Sequence, residues 1–389
     1  MIMLRFFPLS DYLYHWIRPV MILICAMLLF NLPTLIYKIR LTLKGILYLL
    51  FCNDKKWTNP REDPGKIFGP LLKKQQHSTG KKIIEIKTLY LVRHGESTWN
   101  DTFNKGTHRS AFVFVVGYIP GLIKSLLYEL YLILSGKMDS WFYDSPLSYL
   151  GLQQVDDLAK FLKKYPSNNN HTTTLKVDTN TNNNMNNEYL LSVLRSDPSA
   201  PKSKMVASNL RRAISTLAGG FRLRLSRRPE EKILVLPSLQ EISRNPDTLS
   251  ITPPHTPVSA SWIDKDSKIC DFRSIFTKQL DVSLHTGNKP IDTNGLKRMT
   301  AFCDYIFQNL EEDHVVVGGH SIWFRSFFRT FLPYTIDHKS KTRKIVNCGI
   351  IAIRLMKTTT TSDNNKNNTV EAKYMIDPQS ITVVYGGFT

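Results

Sequence analysis

The stretch "LYLVRHGESTWN", residues 89–100, turns from apolar to polar between Val92 and Arg93. A leucine-rich, β-branched run of this length predicts a sheet strand. It ends at Arg93, His94, Gly95 and Glu96: one cation, one imidazole, one flexible joint and one carboxylate. Either an ordinary polar loop follows the strand, or the strand delivers reactive groups to a site. The rest of the chain decides between these.

Outward from this stretch, short apolar runs alternate with amphipathic segments. Strands are predicted at "KTLYLV" (87–92), "KMVAS" (204–208), "ILVL" (233–236), "HVVVGG" (314–319) and "VNCGIIAIRL" (346–355). Helices are predicted at "SYLGLQQVDDLAKFLKK" (148–164, behind a Ser cap), "NLRRAISTLAGGF" (209–221), "NGLKRMTAFCDYIFQNLEE" (294–312) and "SIWFRSFFRTF" (321–331). This alternation predicts an α/β fold over 81–389: a three-layer sandwich with a mostly parallel central sheet flanked by helices.

Reactive groups in such sheets gather where strands end and helices begin, because the loops are exposed and helix N-termini offer N–H donors to anions. Three strand ends carry unusual polar residues: Arg93-His94-Gly95-Glu96, Ser208-Asn209-Leu210-Arg211-Arg212, and Gly318-Gly319-His320-Ser321. Singly, each reads as a loop or a solvated face. Together they supply guanidinium forks to grip phosphate oxygens and an imidazole to attack phosphorus, the set that phosphoryl transfer needs.

"LVRHGESTWN", "SNLRRAISTL" and the late "VVVGGHS", with "DSPLSYLGLQQ" (144–154) between them, resemble the histidine phosphatase superfamily, the phosphoglycerate-mutase-like fold. The matching motifs stand in the family's order and cover roughly 88–355. The resemblance implies that His94 is the nucleophile that takes up the phosphoryl group. It implies that Arg93, Arg212 and His320 hold the phosphate oxygens, with His320 also serving catalysis, and that Glu241 in "PSLQEISRNPDT" protonates the leaving oxygen. Ser97, Asn100 and Ser321 are expected beside the substrate. Of the two adjacent arginines, Arg212, which precedes Ala213, matches the motif.

No metal-ligand cluster is visible, and two arginines can neutralise the charge a metal would otherwise meet, so neither a metal nor another cofactor is expected. Metal-independent hydrolysis of a phosphomonoester through phosphohistidine is the leading function. In the family's mutases an E-R-x-Y-G-like cluster follows the acidic residue, whereas Ile242, Ser243, Arg244, Asn245 and Pro246 follow Glu241 here. Mutase or bisphosphatase action on small metabolites is therefore the alternative, and a catalytically silent membrane-bound scaffold the third reading.

Lys plus Arg exceed Asp plus Glu by 51 to 32, a net charge of +19, so anionic partners are expected. No recognition motif points to nucleic acid. The expected partner is a phosphorylated small molecule, lipid head group or phosphoprotein. Five scattered cysteines predict neither a disulfide framework nor a zinc site.

Residues 19–37, "PVMILICAMLLFNLPTLIY", carry no charge and as a helix rise roughly 28 Å, enough for a bilayer core. They predict one N-terminal transmembrane helix within an anchor region 1–52. Arg5 and Arg18 precede it, whereas Lys38, Arg40, Lys44, Lys55 and Lys56 follow, which predicts a single-pass membrane protein with a cytosolic catalytic domain. Residues 53–80 read as a polar tether. Insertions are expected at about 103–140, 166–188 and 357–369. The last two are Asn/Thr-rich and predict disordered loops. The first contains the apolar 111–136, interrupted by Pro120, expected as a cap helix packed on the protein's own core, with a membrane-dipping helix as the competing reading.

Overall fold

A computed structural model describes residues 17–22, 25–26, 31–57, 62–76, 84–106, 109–164, 187–362 and 369–389. At its centre β1 (Glu85–Arg93) pairs in parallel with β5 (His314–Gly319) and antiparallel with β6 (Ile350–Ser362). Beyond β5 the parallel half continues through β2 (Ser203–Ala207), β3 (Ile233–Val235) and β4 (Leu280–Asp281). Beyond β6 lie β7 (Thr369–Ile376) and β8 (Thr382–Tyr385), both antiparallel to it. The sheet is thus mixed, and the expected parallel arrangement holds only on the β4-to-β1 side.

The principal helices are α1 (Leu32–Phe51), α2 (Pro64–Gln76), α3 (Thr98–Phe103), α4 (Ala111–Leu134), α5 (Tyr149–Lys164), α6 (Asn187–Arg195), α7 (Arg211–Gly220), α8 (Gly295–Asn309) and α9 (Ser321–Phe331). Alternate side chains of a strand point to opposite faces, and β1 shows it. Tyr90 and Val92 enter the core under α5 and α7, while Leu89 and Leu91 enter the core under α8 and α9. Both faces of β1 are dry, which is why its run is apolar throughout.

Four expectations change. First, the antiparallel half is extended because the Thr-rich tract at 358–362 is strand, not loop: it pairs with β7 from Thr358↔Lys373 to Ser362↔Thr369. Consecutive β-branched threonines favour that extended backbone. Residues 363–368 lie outside the described residues, as do 165–186 of the other Asn-rich tract, whose end at Asn187 opens α6.

The second change is N-terminal. Within the expected span, residues 23–24 and 27–30 lie outside the described residues, and a new helix, α1, begins at Leu32 and runs on to Phe51. Asn31 stands at its N-cap with Pro33 in the first turn, where a fixed φ and a missing N–H start a helix rather than continue one. Among the described residues, the one helix long and apolar enough to cross a membrane is α4.

Third, α4 runs unbroken through Pro120 and is not a packed cap. Only Ser125 and Leu132 of it are buried. Fourth, the described part of 53–80 is not slack. Asp54 is fully buried, and Phe68 of α2 sits in a small core with Ile84, Met356 and Met375.

Candidate active site

Strand register brings the three chemistry-bearing ends together. Arg93 pairs with Gly319 and Ala207 with Gly318, so β2, β5 and β1 end side by side at one edge of the sheet. His94 N donates to Gly319 O at 3.0 Å and Ser208 N to Gly318 O at 2.9 Å, continuing the ladder into the loops. A cleft of about 570 Å³ opens there, lined by Arg93, His94, Arg212, Glu241, Asp247 and Lys344 among others.

The nucleophile loop is held by close packing. Gly95 N donates to Thr216 Oγ1 of α7, and Glu96 N donates to Gln154 Oε1 of α5. A Cβ on Gly151 would stand 2.0 Å from Glu96 O, so only glycine lets α5 approach. Ser148 Oγ donates to Glu96 Oε2, and Asp144, at φ 47, accepts from Arg211 N. The "DSPLSYLGLQQ" stretch therefore works as the clamp on the histidine loop.

His94 is buried, and Nδ1 lies 2.6 Å from Gly95 O. That contact assigns the ring proton to Nδ1 and leaves the Nε2 lone pair for attack. Burial, then the charges of Arg212 and Arg93, hold its pKa well below the usual imidazole range. The ring is thus neutral at pH 7, as a nucleophile must be. The His320 ring lies 5.0 Å away, centroid to centroid, also kept neutral by burial and by Arg212.

Arg93 Nη1 donates to Ile345 O at 2.6 Å, and burial lowers its pKa to about 10, so it stays cationic. Arg212 Nη1 donates to Asp247 O at 2.7 Å, and Nη2 lies 3.2 Å from Asp247 Oδ2. Arg93 Nε, Arg212 Nε and both ring nitrogens of His320 are buried without a protein partner. Such polar atoms are uncommon, and a phosphate is the ligand whose oxygens suit the two Nε–H groups and the single N–H of the neutral His320 ring. Arg211 goes elsewhere: it pairs with Asp139 at 2.8 Å and with Asp144 at 3.5 Å.

Glu241 accepts from the backbone N–H of Ile242, Ile322 and Trp323, which seats its carboxylate on the N-terminus of α9. Asn100 and Ser321 line the cleft. Ser97 does not. It is buried as the N-cap of α3, accepting from Asn100 N, because a hydroxyl directly before a helix meets its orphan donors first. Among the described residues no group of three or more His, Cys, Asp or Glu gathers as metal ligands, and the five cysteines are free.

Asp247 and Lys344 are cleft residues that motif reading missed, and nothing in their local spacing marks them. Burial pushes the Asp247 carboxyl up to about 6, against the opposing pull of Arg212. Its native state therefore holds a proton that the unfolded chain releases near pH 4. The stability contribution is full below about pH 4 and is lost as pH rises to about 6. Asp247→Asn is expected to remove that decline, seen as a flattened pH profile of urea midpoint between pH 4 and 6. An unchanged slope would count against it.

Comparisons with known proteins were made on sequence and on structure. No protein-family model and no curated protein matches the chain. Solved structures do. The alpha-ribazole phosphatase from Shigella flexneri matches at 14% identity and a TM-score of 0.30, covering 76% of this chain and 98% of that one. A mycobacterial glucosyl-3-phosphoglycerate phosphatase matches at 13% and 0.30, covering 76% of this chain and 99% of that one. A phosphoglycerate mutase from Bacillus anthracis matches at 16% and 0.29, covering 70% and 89%. At these identities and scores the likeness assigns neither activity nor substrate.

Proposed function

We propose that this chain is a phosphoryl-transfer enzyme that hydrolyses phosphomonoesters through a phosphohistidine. By its motifs it is a member of the histidine phosphatase superfamily. The observation that carries the reading is the neutral His94, with Nδ1 on Gly95 O and Nε2 free, in one buried cleft with Arg93 and Arg212.

In the first step the Nε2–P bond forms as the ester P–O bond breaks, and Arg93 and Arg212 meet the charge on the equatorial oxygens. A cleft carboxyl supplies the proton to the leaving oxygen. Glu241 is assigned this by resemblance, and Asp247 is a second carboxyl within the same cleft. Water then attacks phosphorus, and the N–P bond breaks to release inorganic phosphate. No step calls for a metal. We place the domain at a membrane, through the exposed apolar faces of α1 and α4, and on the cytosolic side, from the basic residues Lys38, Arg40, Lys44, Lys55 and Lys56 that follow the uncharged 19–37 run.

The test is turnover of p-nitrophenyl phosphate in ¹⁸O-water with EDTA present. Inorganic phosphate carrying one solvent oxygen is expected. In a parallel assay with 3-phosphoglycerate as substrate, isomerisation without phosphate release would favour the mutase reading, and no turnover of either substrate would favour the scaffold.

A further inference from the structure

We infer that α1 and α4 form a platform sunk into one leaflet of a bilayer, and that the cleft beside it takes a phosphomonoester borne by a membrane lipid. The inference rests on the phosphatase reading above and names its substrate class.

The platform is turned inside out relative to a helix pair made for water. On α4 the exposed positions are apolar, with Phe112 76%, Val115 69% and Leu127 62% exposed, and Val113, Val116, Ile119, Ile123 and Leu126 more than half exposed. Of its two charges Lys124 is the exposed exception, its ammonium 5.8 Å from the Trp141 ring, whereas Glu129 points inward, pairing with Lys38 of α1 at 2.5 Å and accepting from Ser140 Oγ and Trp141 N. On α1 the pattern repeats. Lys38 is buried and Lys44 half-buried, whereas Ile39, Leu43, Leu49, Leu50 and Phe51 face out, with Arg40 the one exposed charge among them. An exposed face that is apolar apart from isolated long cations, with its acid turned inward, is the arrangement that the interface of an anionic leaflet favours.

The helix does not cross the bilayer. Its roughly 36 Å length is tied to the domain near both ends: Phe103 packs on Tyr118 near one, and towards the other the Tyr128 ring lies 4.4 Å from that of Trp262. It therefore lies along the leaflet.

Two observations select a bilayer over a second protein. A cavity of about 980 Å³ at the C-terminal end of the platform is lined by Tyr37, Tyr128, Tyr131 and Trp262, with Lys137 and Arg273 beside them. Amphipathic rings with cations are the composition that sits at head-group level over an anionic leaflet. At the other end the apolar face continues into the catalytic cleft. Tyr118 packs on Phe103, and Phe103 lies 4.3 Å from Trp99, which lines the cleft. Lys105 and Lys344 stand at the rim of that cleft. A lipid phosphate can seat its head on Arg93 and Arg212 while its chains stay over Trp99, Phe103 and Tyr118.

The full chain, reconstituted in phosphatidylcholine vesicles containing phosphatidic acid, tests this beside p-nitrophenyl phosphate as the soluble substrate. The Val116→Glu/Ile123→Glu double variant alters two exposed positions outside the cleft. We expect it to lower vesicle phosphatidic acid turnover at least tenfold while leaving p-nitrophenyl phosphate turnover unchanged. A photo-crosslinking benzoylphenylalanine at 116 should label acyl chains. Equal turnover of both substrates by parent and variant overturns the inference and leaves the phosphatase reading standing. So does a crosslink to a second copy of the chain, or turnover of a phosphopeptide with no turnover of phosphatidic acid. Absent p-nitrophenyl phosphate turnover in the parent removes the phosphatase reading, and the inference with it.

Discussion

His94→Ala is expected to abolish the phosphoenzyme and to lower kcat by at least about 10⁴-fold, the scale on which removal of a covalent nucleophile acts. Among the described residues, no other group in the cleft is placed to replace it. His320 is the one other imidazole in the cleft cluster, and its ring lies 5.0 Å away at the head of α9, pinned by that helix start. In a rapid quench with a ³²P-labelled phosphomonoester, the parent should trap label that is stable in alkali and released by acid, as expected for a phosphoramidate. The variant should trap none. Because His94 is neutral and donates one hydrogen bond to Gly95 O, its loss leaves no buried charge unpaired. The fold should therefore tolerate the change, and lost turnover reads as lost chemistry. Equal labelling of parent and variant would remove His94 from the mechanism.

The strand that presents His94 could be read from the sequence because both of its faces are dry, and continuous apolar character is the mark of such a strand. The partners Arg212 and His320 could be read for the same reason: each follows another dry strand. What joined them, the register Arg93↔Gly319 and Ala207↔Gly318, follows from parallel neighbours ending at one sheet edge. Where the apolar signal is ambiguous, reading from sequence went astray. The run in α4 has the composition of a buried helix, and composition does not say whether protein or lipid covers it. The Thr tract of β6 resembles low-complexity loop until β7 pairs with it. Ser97 sits in the motif, and its hydroxyl nonetheless goes to capping α3. Asp54 and Asp247 left no local trace at all, because each acts through partners distant in the chain, Lys289 and Arg298 for the first and Arg212 for the second.

Asp54 supplies the second large effect. It is buried, and its Oδ2 lies 2.7 Å from Lys289 Nζ and its Oδ1 2.6 Å from Arg298 Nη2, both cations themselves buried. Lys289 in turn donates at 2.6 Å to Glu241 O and to Ser243 O, and Ser243 N donates to Asp54 Oδ2. The carboxylate just after α1 thus neutralises the two cations that hold the backbone of the Glu241 loop. Asp54→Ala strands both charges in a dry site, where breaking such a pair costs about 3–5 kcal/mol. The expected outcome is an unfolding free energy in urea lowered by that amount, with a correspondingly lower midpoint, and kcat on p-nitrophenyl phosphate reduced as the Glu241 loop loosens. A chain beginning at residue 81 should suffer the same loss, since it discards Asp54 along with α1. Burial already disfavours the Lys289 ammonium, so removing that charge should relieve the defect: Asp54→Ala/Lys289→Met is expected to regain part of the lost stability. It should not regain full activity, because Glu241 O and Ser243 O still lack their donor. Loss below about 1 kcal/mol in Asp54→Ala, within the range of a surface pair, would show that the loop stands without the anchor-proximal carboxylate.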